Sequence, residues 1–395
     1  MARPRNKTTA RLTRDAERLV ALSLALNGSG SRVEDRFWER ELETVLGKML
    51  SAGQDANVEA ALDSLLDSNP GGYEILVEQA ETLSESTFME KDGQRYDVLL
   101  IVAPAVAWTR FAIPAGPIRA DLLGSLAAHL HGHVLAADVK LALAPDLYSV
   151  DQMPRTFSTT LQWLTKLGAQ ALGLPVPRTS LVESEVANLL ADTRYVVGAV
   201  AVPQGKPVFR WQELNGSPRA DREACLEQWV AQATPLFADL LPGCGFECLL
   251  PDGYYVNNRE ADRRIRPLSL QAAVTWLSTA LAIEPPQVRA VIAGCGEVDV
   301  EEYRIGFTAR NSNDVIYGAA WPVFGRDDDT PESPTIEQIA TQLKDLGIAD
   351  IRRIPGLLSM DYCEDCGAPY FPNPRGEMVH AEPPEEAEST PTHFH

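Results

Sequence analysis

The sequence predicts an α+β protein: an N-terminal helical layer, then three tandem strand-strand-helix-strand(-helix) repeats, the last truncated and ended by a cysteine knuckle. Three observations carry this expectation. Helical periodicity holds from Leu12 to about Ser86 and gives way at Tyr96 to short runs rich in branched residues. Pro251-Asp252-Gly253-Tyr254-Tyr255-Val256-Asn257-Asn258 shares Pro, Asp, Tyr and Val in register with Pro145-Asp146-Leu147-Tyr148-Ser149-Val150-Asp151-Gln152. Pro218-Arg219-Ala220-Asp221 mirrors Pro117-Ile118-Arg119-Ala120-Asp121 with one residue inserted, and Trp163-Leu164 has a counterpart in Trp276-Leu277. Self-similarity at such a period marks a chain assembled from copied units.

Residues 1–90 form the helical region. Residues 1 to about 18 carry Arg3, Arg5, Lys7, Arg11, Arg14 and Arg18 against Asp15 and Glu17, which makes a basic arm on an acidic molecule. Such an arm is either a solvated terminus or a segment that docks on an acidic surface. Leu19, Leu22 and Leu26, then Phe37, Trp38, Leu42, Val45, Leu46 and Met49, recur at helical spacing. Breaks fall at Asn27-Gly28-Ser29-Gly30, Gly53 and Pro70-Gly71-Gly72, so three or four helices are expected.

Residues 94–173 make the first repeat unit. Val98 to Val102 read as a strand buried on both faces, a turn follows at Pro104-Ala105, and a second strand runs through Trp108 and Phe111. Gly116-Pro117 starts a helix bearing Leu122, Leu123, Leu126 and Leu130. Val139, Leu141 and Leu143 make the next strand, and a helix with Phe157, Leu161, Trp163, Leu164 and Leu167 closes the unit at Gly173.

Residues 174–193 are a connector with a short helix of its own. The second unit, 194–285, repeats the order: Val196 to Val202, a turn at Gly205, Val208 to Trp211, a helix from Pro218 to about Leu241, Phe246 to Leu250, and the Trp276 helix. The third, 286–362, takes Val288 to Ile292, an additional strand pair from Tyr303 to Trp321 bent at Asn311-Ser312-Asn313-Asp314, a helix bearing Ile336, Ile339, Leu343 and Leu346, and a last strand from Ile351 to Leu358. Trp108, Trp211 and Trp321 hold matching places along the three units and read as core anchors. Residues 363–395 are a cysteine knuckle with an acidic, proline-rich, disordered tail.

A net charge of −20 over 395 residues repels phosphate backbones and anionic membranes, so nucleic acid and membrane are excluded as default partners. No stretch approaches the ~18–20 apolar residues of a membrane span, and a cytoplasmic location is expected. Six cysteines, at 225, 244, 248, 295, 363 and 366, are too scattered for a disulfide framework and read mostly as reduced thiols.

Cys363-Glu364-Asp365-Cys366-Gly367 carries the strongest chemical signal. Two thiolates separated by two residues chelate one tetrahedral Zn²⁺, and glycine after the second lets the backbone turn around the sulfurs. His380 would supply a third ligand and His393 or His395 a fourth, giving a structural zinc that caps the third unit. A bare reduced pair and a redox disulfide stay open beside it. His129, His131 and His133 straddle a helix end, where a partly protonated ring meets the negative end of the dipole. Cys244 and Cys295, each flanked by glycines, lack a neighbouring base in sequence. The chain contains no Walker phosphate loop, nucleophile elbow, zinc-protease motif or dinucleotide fingerprint.

From Arg3-Pro4-Arg5-Asn6-Lys7 through Phe37-Trp38-Glu39-Arg40-Glu41-Leu42 to Cys363-Glu364-Asp365-Cys366-Gly367-Ala368-Pro369-Tyr370, the chain resembles a betaproteobacterial family catalogued as a domain of unknown function. That resemblance implies an uncharacterised bacterial cytoplasmic protein and carries no catalytic residues to transfer. The repeated strand-strand-helix-strand order is also similar to the penteins, at the level of fold alone.

Two functions follow as expectations. The first is a non-catalytic binding or regulatory protein that engages a protein partner, with a metal-stapled C-terminus and an open oligomeric state. The second is an enzyme for a small polar or cationic substrate at the interface of pseudo-symmetric units, drawing on Asp146, Asp252, Arg119, Arg219 and Cys244 or Cys295. Convergence of Asp146 and Asp252 with a cysteine or histidine in one deep pocket favours the enzyme. Asp side chains that bond their own turns favour binding.

Overall fold

A computed structural model describes residues 12–109, 112–176, 190–213, 221–296, 299–323, 334–364 and 368–382. Four helices open it: α1 (Arg14–Asn27), α2 (Arg32–Ser51), α3 (Asp55–Ser68) and α4 (Pro70–Glu85). Each boundary has a local cause. The Thr13, Ser31 and Asn69 side chains accept amide hydrogens at the starts of α1, α2 and α4, and Pro70 occupies the first turn of α4. Leu19, Leu42, Leu46, Leu65 and Leu76, all fully buried, form the core of this bundle.

The chain continues through β1 (Ser86–Lys91), β2 (Gln94–Trp108), β3 (Gly116–Pro117), α5 (Ala120–His133), β4 (Lys140–Ser149) and α6 (Phe157–Leu172). Next come β5 (Ala191–Pro203), α7 (Arg222–Leu240), β6 (Gly245–Cys248), β7 (Asp252–Gly253) and α8 (Tyr254–Leu281). These strands make one sheet in the order β1-β2-β5-β4-β3, with β6 and β7 also paired to β2. Long antiparallel β2 and β5 form its centre, in a register that sets Val102 opposite Val197. Their side chains alternate between two cores because successive residues of a strand face opposite ways. Ile101, Ala105 and Val200 pack under α5 and α7 with Leu126, Trp229 and Phe237. Leu100, Val197 and Ala199 pack under α6 and the first half of α8 with Trp163, Leu164 and Ala261. The helical bundle lies against α6 through Phe157 and Leu161.

A second sheet, β10-β9-β8-β11, is built from β8 (Val288–Cys295), β9 (Glu302–Ala309), β10 (Tyr317–Pro322) and β11 (Asp350–Leu358), with α9 (Thr335–Asp345) before its last strand. Strand β11 runs parallel to β8, as a helical crossover requires. Its core takes Leu270, Trp276 and Leu277 from the second half of α8. The short hairpin β12 (Phe371–Pro372) and β13 (Met378–Val379) follows. Among the described residues no helix is long and apolar enough to cross a membrane.

Several expectations are corrected. The strand-turn-strand predicted across Pro104-Ala105 is one strand, β2. Pro104 lacks an amide hydrogen, but it falls opposite the interruption between β6, which pairs residues 105–108, and β7, which pairs residues 101–102, so no ladder donor is lost. Its carbonyl still accepts from the Leu249 amide at 2.9 Å. The strand expected at Val208–Trp211 is an isolated bridge, Leu135 to Phe209, followed by a 3-10 turn, Arg210–Gln212.

The tryptophan landmarks are not equivalent. Trp108 ends β2, Trp211 sits in that 3-10 turn stacked on Phe209, and Trp321 lies in β10. Trp163 and Trp276 serve different cores, because α8 begins directly at Tyr254 and reaches the second sheet before its tryptophan arrives. Nor do residues 94–173 and 194–285 stack as separate units, since their strands interleave in one sheet. The basic arm before Leu12, most of the connector and the acidic tail lie outside the described residues.

Candidate functional site

A cavity with polar side chains in its lining, about 330 Å³, opens where the segment after β4 meets the first turns of α8. One wall is Val150, Asp151, Met153, Pro154 and Arg155; the other is Tyr254, Asn258 and Asp262, and Tyr195 of β5 forms the floor. Residues 254, 258 and 262 recur every fourth position, so they share one face of α8.

The Ser149 amide donates to Gln152 Oε1 at 3.1 Å, closing the 3-10 turn Val150–Gln152 that presents Asp151. Arg155 reaches back to Asp151 at 3.5 Å. The Tyr254 hydroxyl donates to the Pro154 carbonyl at 2.9 Å and ties the two walls together. Tyr195 is 1% exposed, and its phenol is held well above the usual range by burial and then by the Asp262 and Asp192 charges. Burial likewise raises the Tyr254 phenol, so both hydroxyls stay protonated donors.

Asp262 is pushed up to about 6 by loss of solvent, which outweighs the attraction of Arg266. No hydrogen bond among the described residues reaches its carboxylate. Beneath the floor, the buried Arg194 guanidinium pairs with Asp192 and donates to the Ile113 and Pro114 carbonyls, fixing the segment after β2 to β5. A larger cavity, about 390 Å³, lies between Trp108, Leu190 and Trp276. Its lining is mainly apolar and no charged side chain converges on it, so it offers less chemistry.

The residues singled out in sequence do not meet. Asp252 accepts from the Gly253 amide at 2.8 Å and pairs with Arg222, whose guanidinium also lies over the Trp211 ring at 4.6 Å. Asp146 accepts from the Tyr148 hydroxyl at 3.4 Å. Arg119 forks onto its neighbour Asp121, on the surface. Arg219 lies outside the described residues.

None of the candidate thiols is activated. Burial raises Cys244, and takes Cys295 to about 11 and Cys248 to about 12. The three histidines close α5, with His129 and His133 stacked at 5.9 Å, and burial lowers His131 and His133, which works against the partial protonation expected there.

Cys363 and His380 are described, whereas Cys366 and His393 are not, and no group of three or more metal-capable side chains occurs among the described residues. The Cys363 amide donates to the Ala368 carbonyl at 2.8 Å and Tyr362 bridges Pro369, so the chain doubles back there. The buried Arg304 donates to the Asp361 and Tyr370 carbonyls at 2.6 and 2.9 Å and pins this hairpin to the second sheet. The His380 ring stands 6.5 Å from that of Tyr370.

Sequence reasoning had part of the polar cavity in hand. Asp151, Tyr254 and Asn258 all belong to the paired octads, whereas Tyr195, Arg155 and Asp262 were missed. The four-residue spacing of polar side chains along α8 was the available signal for Asp262. Compared with known proteins, residues 4–394 match the model of a family described as a protein of unknown function, DUF2863. No curated protein and no solved structure matches the chain.

Proposed function

The chain belongs to the DUF2863 family of proteins of unknown function, and we propose that it is a non-catalytic binding protein that takes a small polar ligand between Val150–Arg155 and the start of α8. The observation that carries this reading is the convergence of Asp151, Tyr195, Asn258 and Asp262 on one cavity. Asp252, by contrast, bonds its own turn, and the raised thiols Cys244, Cys248 and Cys295 are absent from the lining. Converging polar groups on a shaped apolar surface are what binding needs, and no thiol or histidine stands in the lining beside Asp262 to act as a nucleophile.

Strand pairing supports an internal duplication around this cavity. Strand β4 pairs with β5 through Leu147 and Val196, and β7 pairs with β2 through Gly253 and Ile101. Matching Leu147 to Gly253 and Val196 to Ile101 sets Val197 on Val102, its own pairing partner. This pairing is what a local two-fold through the centre of the sheet would give, with each half lending its second strand to the other. A cavity between two such halves is a common place for a ligand.

The test is a thermal-shift screen of small polar metabolites on the full chain and on Asn258→Trp, which fills the cavity. Ligands that stabilise the parent and not the variant support the reading. A screen without such ligands, or hits that persist in the variant, refutes it.

A second reading concerns the C-terminus, where the doubled-back chain at Cys363 and the pinning by Arg304 favour a structural zinc on Cys363, Cys366, His380 and His393. The metal would staple this hairpin to the second sheet. Elemental analysis of protein purified without chelator should find about one zinc per chain, lost in Cys363→Ser; less than ~0.1 per chain ends this assignment.

A further inference from the structure

We infer that the ligand taken in this cavity is a small organic cation, an alkyl- or arylammonium or a guanidinium, whose positive head sits on Asp262 beside Tyr195 and Tyr254. This rests on the reading of the cavity as a binding site and narrows it to one chemical class.

Three features of the geometry lead there. Asp262 lies in the wall, drawn out of water, and no hydrogen bond among the described residues satisfies it. Arg266 attracts this carboxylate without making up for the water it has lost, so part of that cost stays until a further cation reaches it. The surrounding side chains suit an organic ion better than a bare metal. Tyr195 and Tyr254 bring aromatic side chains to the lining, and aromatic rings attract cations; Asn258 brings a side-chain amide, and Met153 and Pro154 bring apolar surface for the rest of the molecule.

Anion binding is disfavoured, since Arg155 is already engaged by Asp151 and three-quarters of its side chain is in water. The net charge of −20 draws cations to the molecule from a distance.

Protonation of Asp262 competes with such a ligand. The groups facing it are Asp151 and Arg155 across the cavity, Tyr195 on β5, and Tyr254 and Arg266 on α8. Of these, the two phenols are held far above neutrality by burial. Ionisation of Asp262 should then couple to binding, with affinity rising with pH through about 6 and then levelling, and Asp262→Asn should remove that dependence.

The experiment is calorimetric titration of the full chain with three probes of one shape: benzylammonium, benzyl alcohol and benzoate. Benzylammonium should bind at least ~10-fold more tightly at pH 8 than at pH 4.5, more tightly than either other probe, and ~10-fold more weakly to Asp262→Asn. Equal affinity at both pH values, retained affinity in Asp262→Asn, or no binding of benzylammonium overturns the cation assignment. Preference for benzoate or benzyl alcohol, abolished by Asn258→Trp, overturns it too, yet leaves the binding site standing, so the two readings fail separately.

Discussion

Asp262 stands four residues beyond Asn258 on the face of α8 that meets the cavity. Because its folded carboxyl lies near 6 rather than 3.8, the folded state holds a proton more tightly than the unfolded chain does. The contribution to stability is therefore full below about pH 4 and is lost as pH rises through about 6. At pH 8 the ionised group costs on the order of 3 kcal/mol relative to a normal carboxylate. Asn has nearly the same shape and no charge. In the ligand-free protein, Asp262→Asn should raise Tm by roughly 2–4 °C at pH 8 and change it little at pH 4.5. Thermal melts at the two pH values check this, and an equal effect at both would show that Asp262 is not held in a desolvating site.

At the scale of elements, what could be read in advance was what depends on local chemistry. The breaks between α1, α2, α3 and α4 follow from Gly28, Gly53 and Pro70, which act on their own backbone wherever the chain goes. The alternation of β9 and β10 around Asn311–Asp314 is likewise local, with the Ser312 hydroxyl bonded to Asp314. What escaped was decided by distant partners. Pro104 reads as a turn unless β6 and β7 are known to leave a gap opposite it. Trp163 and Trp276 announce burial, but not which sheet does the burying. The cavity divides in the same way. Tyr254 and Asn258 lay in a stretch marked by its likeness to another, whereas Asp262 reads as an exposed helix position until Val150–Arg155 closes over it. Tyr195 reads as one more core aromatic of β5, and only the approach of α8 makes it part of the cavity lining.

For the whole molecule, the decisive element is α8, 28 residues and therefore ~42 Å long. Its first half, with Tyr254, Ala261 and Ile265, belongs to the large sheet, and its second half, with Leu270, Trp276 and Leu277, belongs to the small one. Pro267 marks the changeover. Proline removes one backbone donor and crowds the preceding turn, so the helix is weakest where it passes between cores. One continuous helix shared by two cores makes each lend stability to the other, and the ligand-free chain should unfold in a single calorimetric transition. Two glycines inserted between Leu268 and Ser269 would turn the second half by ~200° relative to the first and cost a further ~1 kcal/mol each in helix propensity. Leu270 and Trp276 could then no longer face the small sheet while Tyr254 and Asp262 face the cavity. That variant should melt in two steps, the small sheet first, with ligand binding retained until the second. A parent protein that already melts in two well-separated steps would show that α8 connects the cores without coupling them.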